Sequence, residues 1–239
     1  MFSFESEVRY SELNSDGQLS LGSVVNYLQD CSTFQSESLG IGVHYYKQRR
    51  HAWVLNYWQI ILRETLHVGD KIRISTWPYE FKGFLGKRNF MIEKDGRRCV
   101  EADSLWSFLN LDTLKPERPE ADILERYGKE EPLPMEKLSR KIMIPPDSVG
   151  MEPFPVRKYH LDTNGHVNNE KYVELAAEYL PDPFCTESLR VEYKKSAFYG
   201  DVMSPKVWMD DEKQKVIVDL CDLQGKSYAT VEFRSASII

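Results

Sequence analysis

Two segments of this chain, 148 residues apart, share one pattern of residues, and this internal repeat restricts the folds open to the chain. Val8 to Gln18 aligns without gaps on Val156 to His166, so that a polar loop and its glycine fall at the same place. Further along, Gly69-Asp70 matches Gly200-Asp201. Because the polar loop coincides as well as the apolar positions, a duplicated unit explains the pattern better than chance similarity between two halves.

Each half predicts the same order of elements: an extended segment, one helix and four strands. In the first half, apolar residues from Leu21 to Gln35 recur at spacings of three and four, which indicates a helix that ends at Gly40. In the second half, a helix is predicted over Asn169–Leu180, where Pro181 stops it. The extended segments are Glu5–Tyr10 and Phe154–Lys158, and the strand candidates are Ala52–Leu62, Lys71–Tyr79, Lys87–Glu93, Arg98–Leu109, Ser188–Lys195, Met203–Met209, Lys215–Cys221 and Ser227–Ser235. A hairpin turn is predicted at Lys94-Asp95-Gly96, because Asp-Gly tolerates positive φ.

A strand, a long helix and then antiparallel strands are typical of the α+β class. The order predicts two tandem hotdog units, each a long central helix wrapped by an antiparallel sheet, which form an internal pseudo-dimer. We expect an N-terminal unit over residues 1–128, a linker over 129–150 and a C-terminal unit over 151–239. The linker is charged and rich in proline, and a short helix is predicted before it, near Ala121 to Tyr127.

Composition excludes several classes of function. The formal net charge is −6, so the chain lacks the basic field that binds nucleic acid. It contains no run of 18 apolar residues, which argues against a membrane span, and its first residues lack the pattern of a signal peptide. The four cysteines form no CxxC pair, so the sequence predicts reduced thiols in a cytoplasmic protein, without a metal site.

The segment from Leu161 to Tyr172 places an acid, three amides and an imidazole directly before the second helix. A helix start offers unpaired N–H groups and a partial positive charge, which stabilise the oxyanion that forms at a thioester carbonyl. Asp162 is suited to orient or deprotonate a water, the His166 imidazole can orient a group or donate or accept a proton, and Asn164 can hold the carbonyl or the water. These three residues are therefore candidate catalytic groups.

The same residue types also make ordinary turns and helix caps, so the comparison between the two copies decides how the loop is interpreted. The matching loop of the first half, Asn14 to Gln18, keeps the turn residues but has neither the acid at its first position nor the imidazole. A turn therefore needs neither group. Their presence in the second copy predicts one active site there and a degenerate copy in the first half.

The pattern Asp-x-Asn-x-His-Val-Asn-Asn-x-x-Tyr, which starts at Asp162, resembles the active-site motif of the acyl-acyl-carrier-protein thioesterases, here in their bacterial form. The resemblance covers essentially the whole chain and implies a tandem double hotdog with catalytic residues in the second unit, at Asp162, Asn164 and His166. It implies hydrolysis of fatty acyl-acyl carrier protein to free fatty acid, with the carrier protein as partner and no cofactor. Further segments that fit the family are Ala52-Trp53-Val54-Leu55, Leu66-His67-Val68-Gly69-Asp70 and Val191-Glu192-Tyr193-Lys194-Lys195.

The chain departs from the family at one place. Plant members follow the Glu-Tyr-basic-basic run with Glu and then Cys, where this chain has Ser196 and Ala197. A thiol nucleophile is therefore excluded at that site, and Ser196 stays a candidate catalytic residue that orients a water. We expect attack by water, organised by Asp162 and His166, with an acyl-enzyme on Asp162 as the alternative.

Four further residues are candidates for substrate binding. Asn168 and Asn169 lie at the helix start, and Trp53 belongs to the aromatic-rich first unit, which by the resemblance binds the acyl chain. Core packing accounts for most aromatic side chains of that unit. Arg157, beside Lys158, suits an acidic carrier protein that docks near the loop, although solvated surface charge is the default explanation for such pairs.

Two other functions stay open at this point. An acyl-coenzyme-A thioesterase would use the same loop, which also occurs in those enzymes, and only the tandem layout favours the carrier protein. A non-catalytic acyl-binding protein is expected to have lost its site, whereas Asp162, Asn164 and His166 are intact. The quaternary state is open between a monomer and a homodimer, because two fused units satisfy the usual hotdog dimer within one chain.

Overall fold

The computed structural model describes residues 1–210, 212 and 214–235, and it divides the chain into two compact units, Met1–Lys137 and Leu138–Ile239. The division falls inside the segment predicted as a linker, and the predicted boundaries at residues 128 and 151 stay a prediction. Residues 236–239 of the predicted C-terminal unit lie outside the described part. Within the described part, no helix is long and apolar enough to cross a membrane.

The first unit is an antiparallel sheet against which one long helix packs. Its strands lie in the order β1–β3–β4–β5–β2, and the short β6 pairs with β5. The elements in chain order are β1 (Phe2–Glu7), α1 (Leu21–Ser38), α2 (Val43–Gln48), β2 (His51–Leu62), β3 (Lys71–Lys82), β4 (Leu85–Lys94), β5 (Arg97–Asn110), β6 (Lys115–Pro116) and α3 (Ala121–Tyr127).

Helix α1 forms because one of its faces is apolar and its first turn is capped. The Ser20 hydroxyl accepts the N–H of Ser23 at 3.1 Å. Val25, Leu28 and Cys31 are fully buried, and the Cys31 thiol lies 3.5 Å from the Ile74 carbonyl on β3. Burial of each large side chain of this face stabilises the unit by roughly 1.5–3 kcal/mol.

The second unit repeats the arrangement with shorter elements. Within the described residues its main strands lie in the order β10–β11–β12–β9, all antiparallel, and the short β7 and β8 both pair with β10. Val173 and Ala176, on the inner face of its helix, have no solvent exposure. The elements are β7 (Val149–Gly150), β8 (Phe154–Pro155), α4 (Asn169–Ala177), β9 (Thr186–Tyr193), β10 (Val202–Met209), β11 (Lys215–Cys221) and β12 (Ser227–Ser235).

Strand by strand, the two units correspond: β3, β4, β5 and β2 of the first take the places of β10, β11, β12 and β9 in the second. Both units therefore have the predicted α+β order of one helix followed by four antiparallel strands. The predicted Asp-Gly hairpin is also present between β4 and β5, with positive φ at Asp95 and Gly96 as a tight hairpin turn requires.

Several strand ends differ from the prediction by a few residues, and three other bounds were wrong for local reasons. Tyr10 and Lys158, predicted as extended, instead open 3₁₀ turns that lead into the two polar loops. Helix α4 ends at Ala177 rather than Leu180, because the N–H groups of Tyr179 and Leu180 donate to carbonyls only three residues back. Such bonds tighten the last turn beyond the α-helical geometry. Helix α2 was not predicted, and its six residues are too few for apolar periodicity to reveal.

In the sheet of the second unit, one buried carboxylate contacts three basic side chains. Glu232 on β12 is 2% exposed and accepts two hydrogen bonds from Arg190, at 3.0 and 2.8 Å, and one from Arg234 at 3.0 Å. The Lys215 ammonium lies 3.3 Å away. Burial alone would raise the pKa of Glu232, but the bonds and charges of Arg190, Arg234 and Lys215 outweigh it and lower that pKa below its usual value. Its ionised form therefore stabilises the fold above the pH at which an unfolded glutamate titrates, and this contribution is lost as the pH falls through the lower folded pKa.

We expect Glu232→Gln to lower the free energy of unfolding by about 3 kcal/mol near neutral pH, because Arg190 keeps its partial burial and loses its anion. The difference from the wild type should shrink as the pH falls below about 4.3, where the unfolded glutamate takes up a proton, and it should be smallest once the pH has passed the lower folded pKa of Glu232. The matched control Glu5→Gln removes the exposed partner of Arg73 and should cost less than about 1 kcal/mol. Urea unfolding of the three proteins measures both effects, and equal costs for the two variants would contradict the assignment.

Candidate active site

A tight turn before α4 contains the three residues predicted to be catalytic. The backbones of Leu161 and Val167 pair in an antiparallel bridge on either side of it. Within the turn, the Asp162 N–H donates to the His166 carbonyl at 2.7 Å, and the Gly165 N–H donates to the Asp162 carbonyl at 3.1 Å. Gly165 has a φ of 77°, a left-handed value that glycine adopts without strain.

The carboxylate of Asp162 accepts three hydrogen bonds from groups within this turn. Its Oδ1 accepts the N–H of Asn164 at 2.8 Å and the N–H of His166 at 3.1 Å, while its Oδ2 accepts the Asn164 side-chain amide at 3.3 Å. Asp162 and His166 are half-buried and Asn164 is exposed. The structure therefore brings the three predicted residues together, with one carboxylate oxygen engaged by the backbone and the other facing an amide.

The first unit contains the same turn, with the neutral Asn14 as its first residue. The Asn14 Oδ1 accepts the N–H groups of Asp16 and Gln18 at 3.1 and 3.0 Å. The Asn14 N–H donates to the Gln18 carbonyl at 2.8 Å, as the Asp162 N–H does in the second unit. An amide oxygen thus makes the same two bonds as the carboxylate oxygen. This confirms that the turn itself requires neither the negative charge nor the imidazole of the second copy.

The loop between β9 and β10 supports the other side of the turn. The Val167 N–H donates to the Ala197 carbonyl at 2.9 Å, and the backbones of His166 and Phe198 form an isolated bridge. The two rings also meet edge to face, with centroids 4.9 Å apart. No side chain of the described residues hydrogen-bonds the ring nitrogens of His166. Ser196 is exposed in the same loop. It directly precedes Ala197, whose carbonyl accepts the Val167 N–H.

Helix α4 begins where the turn ends. Asn168 is its N-cap, and the Asn168 Oδ1 accepts the N–H of Glu170 at 3.4 Å. The Asn169 carbonyl accepts the Tyr193 hydroxyl at 3.0 Å. Both residues therefore serve the helix start in the described structure, and their contact with a substrate stays a prediction. The partial positive charge of the helix start lies directly beside the turn.

The other two candidates for substrate binding have separate surroundings. Trp53 of the first unit lies in an aromatic cluster, where its indole N–H donates to the Tyr46 hydroxyl at 3.2 Å and its ring centroid is 5.1 Å from that of Phe108. Arg157 is exposed, and its backbone N–H donates to Nδ1 of the buried His160 at 3.1 Å. The Arg157 side chain is therefore exposed, while its backbone is fixed close to the turn, and its contact with a substrate or carrier stays a prediction.

Sequence reasoning missed one polar contact of the site. Tyr172, counted among the apolar residues of α4, is 2% exposed, and its hydroxyl accepts the N–H of Ala197 at 3.0 Å. The signal that would have found it is the copy comparison, because the first unit has Val24 at the matching position. A phenol replaces an aliphatic side chain only in the unit that carries the acid and the imidazole.

Metal ligands are not grouped in the described part of the chain. No cluster of three or more His, Cys, Asp or Glu side chains there is arranged to hold an ion. All four cysteines are free thiols, three of them buried and Cys185 exposed. The predicted catalytic residues that the structure brings together are thus a carboxylate, an amide and an imidazole.

The fold and the turn define a class of protein: two helix-on-sheet units in tandem, with an Asp-Asn-His turn before one helix, are the layout of a double hotdog protein. Comparison with known families agrees. Residues 1–127 match the model of the acyl-ACP thioesterase N-terminal domain, and residues 145–234 match that of the C-terminal domain. The chain belongs to the acyl-ACP thioesterase family.

Individual relatives support the same assignment. The oleoyl-acyl carrier protein thioesterase 1 of Arabidopsis thaliana chloroplasts is 26% identical over 219 residues, which are 82% of this chain and 60% of the relative. The chain thus spans less than two thirds of that relative. Among solved structures, an acyl-ACP thioesterase from Bacteroides thetaiotaomicron has a TM-score of 0.89 at 23% identity, covering 98% of this chain and 97% of its own. The 12:0-ACP thioesterase from Umbellularia californica has a TM-score of 0.84 at 18% identity, covering 98% and 96%. These likenesses confirm the predicted fold class.

We expect Asp162→Asn to keep the turn and Asp162→Ala to weaken it. The asparagine retains an oxygen for the N–H groups of Asn164 and His166, as Asn14 does in the first unit, so its cost should stay below about 1 kcal/mol. The alanine leaves both N–H groups without that acceptor and should cost about 1–2 kcal/mol more. Chemical unfolding of both variants measures the difference, and an asparagine variant as unstable as the alanine variant would show that the charge itself holds the turn.

Proposed function

We propose that this protein hydrolyses the thioester of fatty acyl-acyl carrier protein and releases free fatty acid. The observation that carries the proposal is the pair of equivalent turns. The turn of the first unit begins with the neutral Asn14, whereas that of the second unit contains Asp162 and His166. The second turn lies at a helix start, where developing negative charge is stabilised. Membership of the acyl-ACP thioesterase family supports the same reaction and the same carrier.

In the proposed reaction, a water oxygen attacks the carbonyl carbon of the thioester. His166 accepts the proton that the water loses, because its ring nitrogens have no other partner among the described side chains. The carbonyl oxygen becomes an oxyanion beside the Asn164 amide and the start of α4. The carbon–sulfur bond then breaks, and the proton held by His166 passes to the leaving sulfur, so that a carboxylic acid and a thiol are formed.

Asp162 orients the water and stabilises the protonated imidazole in this scheme. Its Oδ1 already accepts two backbone N–H groups, and its Oδ2 already faces the Asn164 amide. An acyl-enzyme on Asp162 would require one of these oxygens to leave the bonds that close the turn. The geometry therefore favours direct attack by water over a covalent intermediate. Ser196, exposed in the neighbouring loop, is a candidate second contact for the same water.

The remaining assignments belong to the same proposal. The C-terminal unit carries the catalytic site, and the N-terminal unit binds the acyl chain, with Trp53 in its aromatic cluster as a candidate contact. Asn168 and Asn169 at the start of α4 and the exposed Arg157 are candidate substrate contacts. A cytoplasmic location agrees with four cysteines that are free thiols.

The first experiment compares wild type, Asp162→Asn and Asn14→Asp on acyl-carrier-protein thioesters of several chain lengths. We expect the wild type to release free fatty acid and Asp162→Asn to lower kcat by roughly 10²- to 10⁴-fold, because the turn remains but its charge is lost. Asn14→Asp places an acid in the equivalent turn of the first unit and should leave kcat unchanged. Unfolding curves show whether each variant is folded.

Several outcomes would contradict the proposal. Acyl binding without turnover by the wild type would indicate a binding protein, and undiminished turnover by folded Asp162→Asn would remove Asp162 from the mechanism. The same panel made with coenzyme A thioesters of equal chain length tests the carrier. A higher kcat/KM for the coenzyme A series would assign the enzyme to that carrier instead.

A further prediction concerns docking of the carrier protein. Arg157 is exposed beside Lys158, whose ammonium lies 5.8 Å from the centroid of the exposed Tyr199 ring. If this pair attracts an acidic carrier, the double variant Arg157→Gln/Lys158→Gln should lose several-fold in kcat/KM on carrier-linked substrate, and little on a small thioester. Raising the salt concentration should have the same selective effect on the wild type, because about 0.15 M salt screens charges beyond about 8 Å.

Arg9 is the matched control for Arg157, since it holds the equivalent position of the first unit and forms an exposed pair with Glu12. The variant Arg9→Gln should leave kcat/KM on carrier-linked substrate unchanged. Equal salt dependence for carrier-linked and small thioesters would rule out electrostatic docking at this pair.

A further inference from the structure

Tyr172 connects helix α4 to the loop that supports the catalytic turn. The phenol is buried, and its oxygen accepts the Ala197 N–H at 3.0 Å. The carbonyl of the same Ala197 accepts the Val167 N–H at 2.9 Å, and Val167 follows His166 directly in the chain. Two hydrogen bonds in series therefore join the helix, the β9–β10 loop and the turn. They involve Ala197 and Val167, which directly follow Ser196 and His166 in the chain.

The first unit shows that this loop and turn pair without a phenol. There the Leu19 N–H donates to the Leu66 carbonyl at 2.8 Å, which is the counterpart of the bond from Val167 to Ala197. The helix residue at the matching position is Val24, buried and without a polar group. The backbone arrangement therefore folds with an aliphatic side chain, and the phenol of the second unit is an addition to it.

Burial and two nearby carboxylates keep the Tyr172 phenol neutral. Burial is the main cause that raises the pKa of Tyr172 to about 12, and the Ala197 N–H opposes it. The groups Tyr228, Asp201 and Asp162 raise it further. The phenol is therefore neutral at physiological pH and keeps one proton to donate while its oxygen accepts from Ala197. The turn carboxylate Asp162 is one of the charges that act on it.

We propose that Tyr172 is a positioning residue of the hydrolase: its hydroxyl fixes the Ser196–Ala197 segment against the catalytic turn and so sets the placement of Ser196 and His166 around the water. The inference rests on the proposed hydrolysis, because it assigns a role within that reaction. Its physical basis is that a misplacement of about 1 Å in a catalytic group costs on the order of 10²-fold in rate.

The test uses Tyr172→Phe in the full chain, which keeps the ring and removes only the hydroxyl. We expect kcat for carrier-linked substrate to fall roughly 10- to 100-fold with KM nearly unchanged, since the ground-state contacts of the substrate remain. Amide hydrogen exchange should become faster at Ala197 and Val167, the two N–H groups that donate these hydrogen bonds, and should stay unchanged at Leu19.

Tyr27→Phe is the matched control. Tyr27 is also buried on the long helix of its unit, and its hydroxyl donates to the Glu12 carboxylate at 2.7 Å. Removing that hydroxyl should cost a similar amount of stability and leave kcat unchanged. If kcat followed stability equally in the two variants, Tyr172 would have only a structural role, and the proposal would fail.

The two proposals fail in different ways. A wild type without turnover would overturn the hydrolysis, whatever the hydrogen exchange shows. A wild type that turns over, an Asp162→Asn variant that does not, and a Tyr172→Phe variant with normal kcat would overturn the role of Tyr172 alone. Faster exchange at Ala197 combined with normal kcat would also contradict it, because the segment would then be loosened without effect on the reaction.

Discussion

The structure around the site depends on one side-chain oxygen that accepts two backbone N–H groups within a five-residue turn. In the second unit this oxygen belongs to Asp162, and in the first unit to Asn14. It fixes the direction in which the chain enters the helix, and hence which residues face the helix start. Because the bonds need an oxygen and not a charge, folding leaves the charge of this position free for chemistry.

The site is consequently assembled from two kinds of residue. Backbone hydrogen bonds and a glycine place the loop, and they are equivalent in both units. Asp162, His166 and Tyr172 differ between the units, and the first unit folds with Asn14, Gln18 and Val24 in their places. In a duplicated protein, functional residues are best sought at positions that differ between the two units while the surrounding backbone hydrogen bonds are the same. The comparison needs only the one sequence.

Much of the fold could be predicted from the sequence because its signals are local. Alternating and periodic apolar residues predicted the eight long strands and the two central helices of the described residues, and an Asp-Gly pair predicted the hairpin turn at Asp95. The 3₁₀ turns and the early end of α4 depend on single hydrogen bonds that leave no pattern. Tyr172 escaped notice because periodicity counts a buried tyrosine as apolar, whereas its hydroxyl meets a partner 25 residues away in the sequence. The turn was readable from sequence, but its support by a separate loop was not.

The equivalence of the Asp162 and Asn14 turns also has a consequence for how such proteins change over generations. Aspartate and asparagine codons differ by one nucleotide, so a single mutation exchanges the acid and the amide at this position. Since the side-chain oxygen of either residue accepts the two N–H groups of the turn, the exchange in either direction leaves the unit folded. A duplicated unit of this kind is thus able to lose the proposed catalytic carboxylate, or regain it, at little cost in stability.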